Sequence, residues 1–91
     1  MKVYLCGGIN GLSDAACKDW REHAKSRLPD TLDPMRRDYR GVEAMHVDDI
    51  VQGDLDDIYE SAAVLANCVR PSWGTAMEIR VAQQILAEQA A

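Results

Sequence analysis

The stretch Ala62 to Val69 is almost unbroken in apolar side chains, and it runs through Pro71-Ser72-Trp73-Gly74 into a segment of helical period. A short apolar run bounded by turn residues reads as a strand covered on both faces. Val3 to Cys6, with Tyr4 inside it, has the same character at the start of the chain and is stopped by Gly7-Gly8. Thr31 to Asp33 is a shorter strand candidate ahead of Pro34. Between these runs the period changes to 3.6. Ser13 or Asp14 can cap a helix reaching about Leu28, with Ala16, Cys17, Trp20, Ala24 and Leu28 on one face. A second helix is expected from about Val47 to Ser61, with Ile50, Val51, Leu55 and Ile58 inward and Gly53 weakening it by roughly 1 kcal/mol relative to Ala. A third runs from about Thr75 to Glu88, with Met77, Val81, Ile85 and Leu86 inward. The order β-α-β-loop-α-β-α predicts a small three-layer α/β domain spanning residues 1–91. Its sheet is expected to be parallel and flavodoxin-like, about three strands in the order 2-1-3, with three helices on its faces.

That topology restricts where a ligand can sit. Right-handed crossovers bring the carboxyl ends of the strands to one rim, and ligands bind there. The rim loops are Gly7 to Leu12, with Asn10 read as a turn residue, Pro34 to Gly41, and Pro71 to Gly74. The last leads into Thr75-Ala76-Met77-Glu78, so a carboxylate falls on the first turn of a helix. Glu78 has two readings. It can complete a local capping box with Thr75 as the cap, or it can face the rim and act on a ligand. Unpaired N–H groups at the helix start attract anions, and Gly74 lets a ligand come close to the backbone.

Composition narrows the partners. Net charge is −5, with no extended basic surface, which argues against a nucleic-acid polymer. A small nucleotide remains compatible, because Arg36, Arg37 and Arg40 form a local cluster. No apolar run approaches a membrane span and the first residues lack a signal-peptide layout, so no membrane partner is expected. Cys6, Cys17 and Cys68 have unrelated spacings, and no CxxC is present. They read as reduced thiols in a cytoplasmic protein, and neither a metal site nor a cofactor is expected. With no phenylalanine, the core rests on aliphatic residues, Trp20, Trp73 and tyrosines, and Trp73 is expected to pack against its loop.

Taken in order, the segments resemble the nucleoside 2-deoxyribosyltransferase family and the related 2'-deoxynucleoside 5'-phosphate N-hydrolases. Tyr4-Leu5-Cys6-Gly7-Gly8-Ile9 is similar to the family's opening strand and glycine loop. Asp33-Pro34-Met35-Arg36-Arg37-Asp38-Tyr39-Arg40-Gly41 is similar to the segment after the second strand in bacterial and phage-type members. Gly53-Asp54-Leu55-Asp56-Asp57-Ile58 and Gly74-Thr75-Ala76-Met77-Glu78-Ile79 follow at compatible spacing. The resemblance implies that Glu78 is a nucleophile toward C1' of the sugar, that Asp54 handles the proton of the leaving base, and that Tyr4 orients Glu78. It implies substrate contacts from Gly7, Gly8, Ser72, Gly74, Arg36 and Arg40. Ser72 stands where transferases often carry an aspartate for a sugar hydroxyl and phosphate-reading hydrolases carry a serine.

The implied chemistry uses two carboxyl groups, as in retaining glycosidases. Asp54 should then hold its proton above the ordinary carboxylate range, while Glu78 stays ionised with help from the helix start. The expected activity is cleavage of the N-glycosidic bond of a 2'-deoxynucleoside or its 5'-monophosphate, with transfer of the deoxyribosyl group to an acceptor base. Hydrolysis of the monophosphate, or nucleotide binding without turnover, are the alternatives. Family members usually continue into a further strand, so the domain is expected to be short at its C-terminus. The third strand would then have an uncovered edge, and a homodimer or higher homo-oligomer is expected to cover it.

Overall fold

The computed structural model describes residues 1–9, 11–68 and 72–90. The sequence expectations at Asn10, Val69 and Pro71, and for the side chain of Leu86, lie outside the described residues. Strand β1 (Val3–Gly7) is the centre of a three-stranded parallel sheet, flanked by β2 (Thr31–Leu32) and β3 (Ala63–Asn67) in the order β2-β1-β3. Val3 pairs with Thr31 on one side and Ala63 on the other, and Gly7 pairs with Asn67. The helices are α1 (Asp14–Arg27), α2 (Val47–Glu60) and α3 (Trp73–Ala90). This is the α/β architecture that the alternation of periods predicts. Among the described residues no helix is long and apolar enough to cross a membrane.

Alternation along β1 divides its side chains between two faces. Tyr4 and Cys6 join Ile58 of α2 and Ala82 and Ile85 of α3 in the buried core, with Leu32, Val64 and Val81 packed against it. The opposite face meets α1. A Cβ built on Gly7 would lie 2.6 Å from Cζ2 of Trp20, so the close approach of α1 dictates glycine there. Gly7→Ala is therefore expected to lower stability by about 1–3 kcal/mol, read as a lower urea midpoint at unchanged slope.

Helix α1 is capped by Ser13, whose hydroxyl accepts from the Ala16 N–H. Its buried face differs from the expected apolar stripe: Cys17, Arg21 and Ala24 are buried while Ala16 is exposed. Arg21 is 0% exposed. It donates to the carbonyls of Cys17 at 2.6 Å and Gly7 at 3.1 Å, and its guanidinium lies 4.5 Å from the Trp20 ring centroid. Its Nε is 3.6 Å from Asp33 Oδ1. Burying a charge is costly unless it is paired and hydrogen-bonded; the two Nη atoms of Arg21 are hydrogen-bonded and tie α1 to the end of β1, while its buried Nε has only the ion-pair contact with Asp33. Asp33 in turn accepts from the Met35 N–H at 2.8 Å and pairs with Lys25 at 2.6 Å. Arg21 thus fixes the feet of two rim loops.

The remaining differences have local causes. Strand β3 is not covered on both faces: Leu65 and Ala66 are exposed, because β3 is an edge of the sheet. Helix α3 begins at Trp73, earlier than expected, because Ser72 rather than Thr75 caps it. The Ser72 hydroxyl accepts from the Thr75 N–H at 3.2 Å and its carbonyl from the Ala76 N–H at 3.0 Å. Gly74 therefore sits in the first helical turn instead of in a tight turn before it. That shift sets the inward face as Thr75, Glu78, Ala82 and Ile85, and leaves Met77 exposed. The segment expected as an irregular loop from Met35 begins with a 3-10 turn, Pro34–Arg36, capped by Asp33. It ends at Gly41, whose φ of 87° suits glycine.

Candidate functional site

The described parts of the three rim loops, Gly7 to Ile9, Pro34 to Arg40 and Ser72 to Gly74, converge as the topology requires. With α2 and the start of α3 they enclose a cavity of about 450 Å³. Asp54 on α2 and Glu78 on α3 line it, and Tyr4 of β1 reaches Glu78 from the sheet beneath.

Glu78 is only 7% exposed. It completes no capping box, since Ser72 is the cap and the Glu78 carboxylate turns to the sheet. The Tyr4 hydroxyl donates to Glu78 Oε2 at 2.5 Å. The Cys6 thiol lies 3.5 Å from Glu78 Oε1 and 3.8 Å from the Thr75 carbonyl. Burial, with Glu78 alongside, raises the Tyr4 hydroxyl far above its ordinary value and pushes the Cys6 thiol up to about 12. Both groups are therefore neutral hydrogen-bond donors to the carboxylate.

Asp54 and Glu78 line the same cavity, and each carboxyl acts on the proton affinity of the other. Burial raises Asp54 above the carboxylate range, while the charge and hydrogen bond of Arg37 pull against it. The raised proton affinity expected of Asp54 is present. The expectation that Glu78 simply stays ionised is not met: burial pushes it up to about 7, with the Asp54 charge adding to the rise and the Tyr4 hydrogen bond opposing it. Desolvation in the cavity wall outweighs the helix start. Burial thus raises both carboxyls, and the charge of each acts on the titration of the other.

The arginines separate by environment. Arg36 lies outside the cavity, forked onto Asp57 at 2.9 and 2.6 Å. Arg37 lines the cavity and donates to Asp54 Oδ1 at 3.2 Å and Asp57 Oδ2 at 2.8 Å. Burial works against ionisation of Asp57, but hydrogen bonds from Arg36 and Arg37 outweigh it and hold Asp57 below the usual range. Arg40 lines the cavity but is engaged by Asp38 and Asp14. Hydrogen bonds from Arg40 hold Asp38 at about 2.

Gly7, Gly8, Ser72 and Gly74 all line the cavity. A Cβ on Gly74 would meet nothing nearer than Ser72 Oγ at 4.0 Å, so packing does not require glycine there. Trp73 is 94% exposed at the cavity mouth, not packed against its loop as expected. Thr75, in the wall, has a buried hydroxyl without a partner among the described residues. Sequence reasoning missed the contact of Cys6 with Glu78, although the i, i+2 spacing from Tyr4 places both on one face of β1. It also missed that Arg37, rather than Arg36, reaches the cavity. Among the described residues no group of three or more His, Cys, Asp or Glu is placed to hold a metal ion. No protein-family model and no curated protein matches this chain.

Proposed function

We propose that the chain cleaves the N-glycosidic bond of a 2'-deoxynucleoside and transfers the deoxyribosyl group to an acceptor base. The observation that carries this reading is the buried Glu78 carboxyl, held by Tyr4 in a cavity that Asp54 also lines. Tyr4 occupies Oε2, and Oε1 has only a long thiol contact, so Oε1 is the oxygen free to attack C1'. As the Oε1–C1' bond forms, the C1'–N bond breaks and its electron pair goes to the base. Asp54 supplies the proton that the base needs to leave as a neutral molecule. In the second step an acceptor base attacks C1', the ester to Glu78 breaks, and the acceptor's proton returns to Asp54. The unpartnered Thr75 hydroxyl is hydrogen-bonding capacity that a ligand can take up.

Charge favours the nucleoside over its monophosphate. Among the described lining residues, Asp38, Glu43, Asp54 and Glu78 face Arg37 and Arg40, and both arginines are already paired. One observation supports the monophosphate hydrolase as the second reading. Ser72 accepts from Thr75 through its oxygen, so its hydroxyl proton remains available to a phosphate at the helix start. On either reading the exposed edge of β3 is covered by a second copy of the chain, which light scattering would register as a dimer or larger species.

The test is incubation with deoxynucleosides and their 5'-monophosphates, each with and without a different free base, followed by chromatography. A new nucleoside that forms only with the acceptor base is the expected result. Free base from monophosphates alone would establish the hydrolase instead. Saturable nucleotide binding with no base released from any substrate would overturn the enzymatic reading.

A further inference from the structure

Gly53 stands in the middle of α2, where glycine weakens a helix, and no turn or positive φ calls for it. Its reason lies across the groove. A Cβ built on Gly53 would meet Arg37 Nε at 2.8 Å, Cζ at 3.0 Å and Nη2 at 3.1 Å. The Arg37 guanidinium therefore lies flat against the α2 backbone in the space that a side chain would fill. From that seat it reaches Asp54, the next residue along, and Asp57 one turn on. Asp57 is also forked by Arg36, which anchors Arg37's neighbour in the chain to the same helix.

We infer that Gly53 is the seat of Arg37, and that Arg37 is a positioning residue that holds the Asp54 carboxyl in its place beside Glu78. The groups facing Asp54 are Arg37 from the Pro34 to Arg40 segment, Asp57 on its own helix, Glu78 on α3 and Tyr4 on β1. Of these, Arg37 alone is a cation. Without it, burial and the Asp57 charge would act on Asp54 unopposed by a positive charge, and the proton would lodge there. With it, the pull of burial toward the protonated form is opposed. Asp54 then remains acidic enough to give its proton to the leaving base. This role rests on the glycosyl-transfer reading, but the placement of Arg37 and its effect on Asp54 can be measured without any turnover.

The experiment is a pH titration of the side-chain carboxyl carbons by NMR in the wild type, Gly53→Ala and Arg37→Gln, with thermal unfolding in parallel. A methyl at Gly53 collides with the far end of a flexible side chain, so the fold is expected to survive while Arg37 is displaced. The titration of Asp54 should move up by about 1 unit in both variants, as removal of an adjacent cation requires, and that of Glu78 should move down. If initial rates are measurable, kcat should fall on the order of 10- to 100-fold with little change in KM. Arg37→Lys should recover part of the titration shift, which a merely structural role would not predict. A different outcome overturns the inference: Gly53→Ala raises Tm by about 4–8 °C, as a simple helix replacement would, and leaves Asp54 unmoved. An Arg37→Gln protein that folds with Asp54 titrating as in the wild type overturns it as well. Failure of the glycosyl-transfer reading would appear separately, as an absence of base release by the wild type.

Discussion

Glu78→Gln should remove turnover and, above neutral pH, make the protein more stable than the wild type. In the proposed reaction the variant lacks the attacking oxygen, and the loss of activity should be on the order of 10⁴-fold or more. Rapid denaturing quench of the wild type with a deoxynucleoside should yield protein carrying a deoxyribosyl group, and the variant should yield none. The gain in stability follows from burial. Glu78 titrates at about 7 in the folded chain, against the usual value near 4.5 for an exposed glutamate. Between those values the folded state binds more protons than the unfolded state, so stability is fully present below about 4.5 and falls as pH rises through about 7. The full loss is on the order of 3 kcal/mol. Glutamine has no charge to desolvate, and its carbonyl can still accept from Tyr4, so the variant escapes that loss. Urea midpoints at pH 5 and pH 8 check it: the wild type should weaken over that interval and Glu78→Gln should weaken less. Equal pH dependence in the two proteins would mean that Glu78 is ionised at little cost.

The fold was legible because its signal is local and repeated. Two apolar runs, a short third one and three helical periods leave few ways to build a sheet, and the order β2-β1-β3 is the arrangement expected. The place of Glu78 at the cavity was legible for a related reason, because the strand ends and the start of α3 gather at one rim in such a sheet, whereas Tyr4 and Asp54 were picked out only by the resemblance. What sequence could not show depends on rotations of about one residue. Ser72 and Thr75 are both competent caps, and the choice between them decides whether Met77 or Glu78 and Ala82 face inward. Arg36 and Arg37 are adjacent and chemically identical, and only the 3-10 turn after β2 determines which one enters the cavity. Gly53 read as a weakness of α2, because the side chain that needs its space comes from another part of the chain. Arg21 drew no reading from the sequence, because the Gly7 carbonyl and Asp33 that receive it are distant along the chain.

Asp54→Asn should separate substrates by how well their leaving group bears a negative charge. With a natural base, which departs poorly as an anion, loss of the proton donor should lower kcat by about 10²–10⁴-fold. With a deoxyribosyl donor whose leaving group is a stable anion, such as a nitrophenolate, the loss should be less than about 10-fold. The pH profiles should differ too. The proposed reaction needs Glu78 ionised and Asp54 protonated, so the wild-type rate should fall at low pH, where Glu78 cannot attack, and at high pH, where Asp54 cannot donate. Asparagine removes the high-pH limb. It also removes the charge that raises Glu78, so the low-pH limb should move to lower pH. Initial rates with both donors between pH 4 and pH 9 contain all three outcomes. Equal losses on both donors, with the high-pH limb intact, would show that Asp54 only binds the base, and the proton would have to come from elsewhere in the cavity. The neutral hydroxyl of Tyr4 is a poor candidate, because burial beside Glu78 holds its proton far more tightly than a free phenol does.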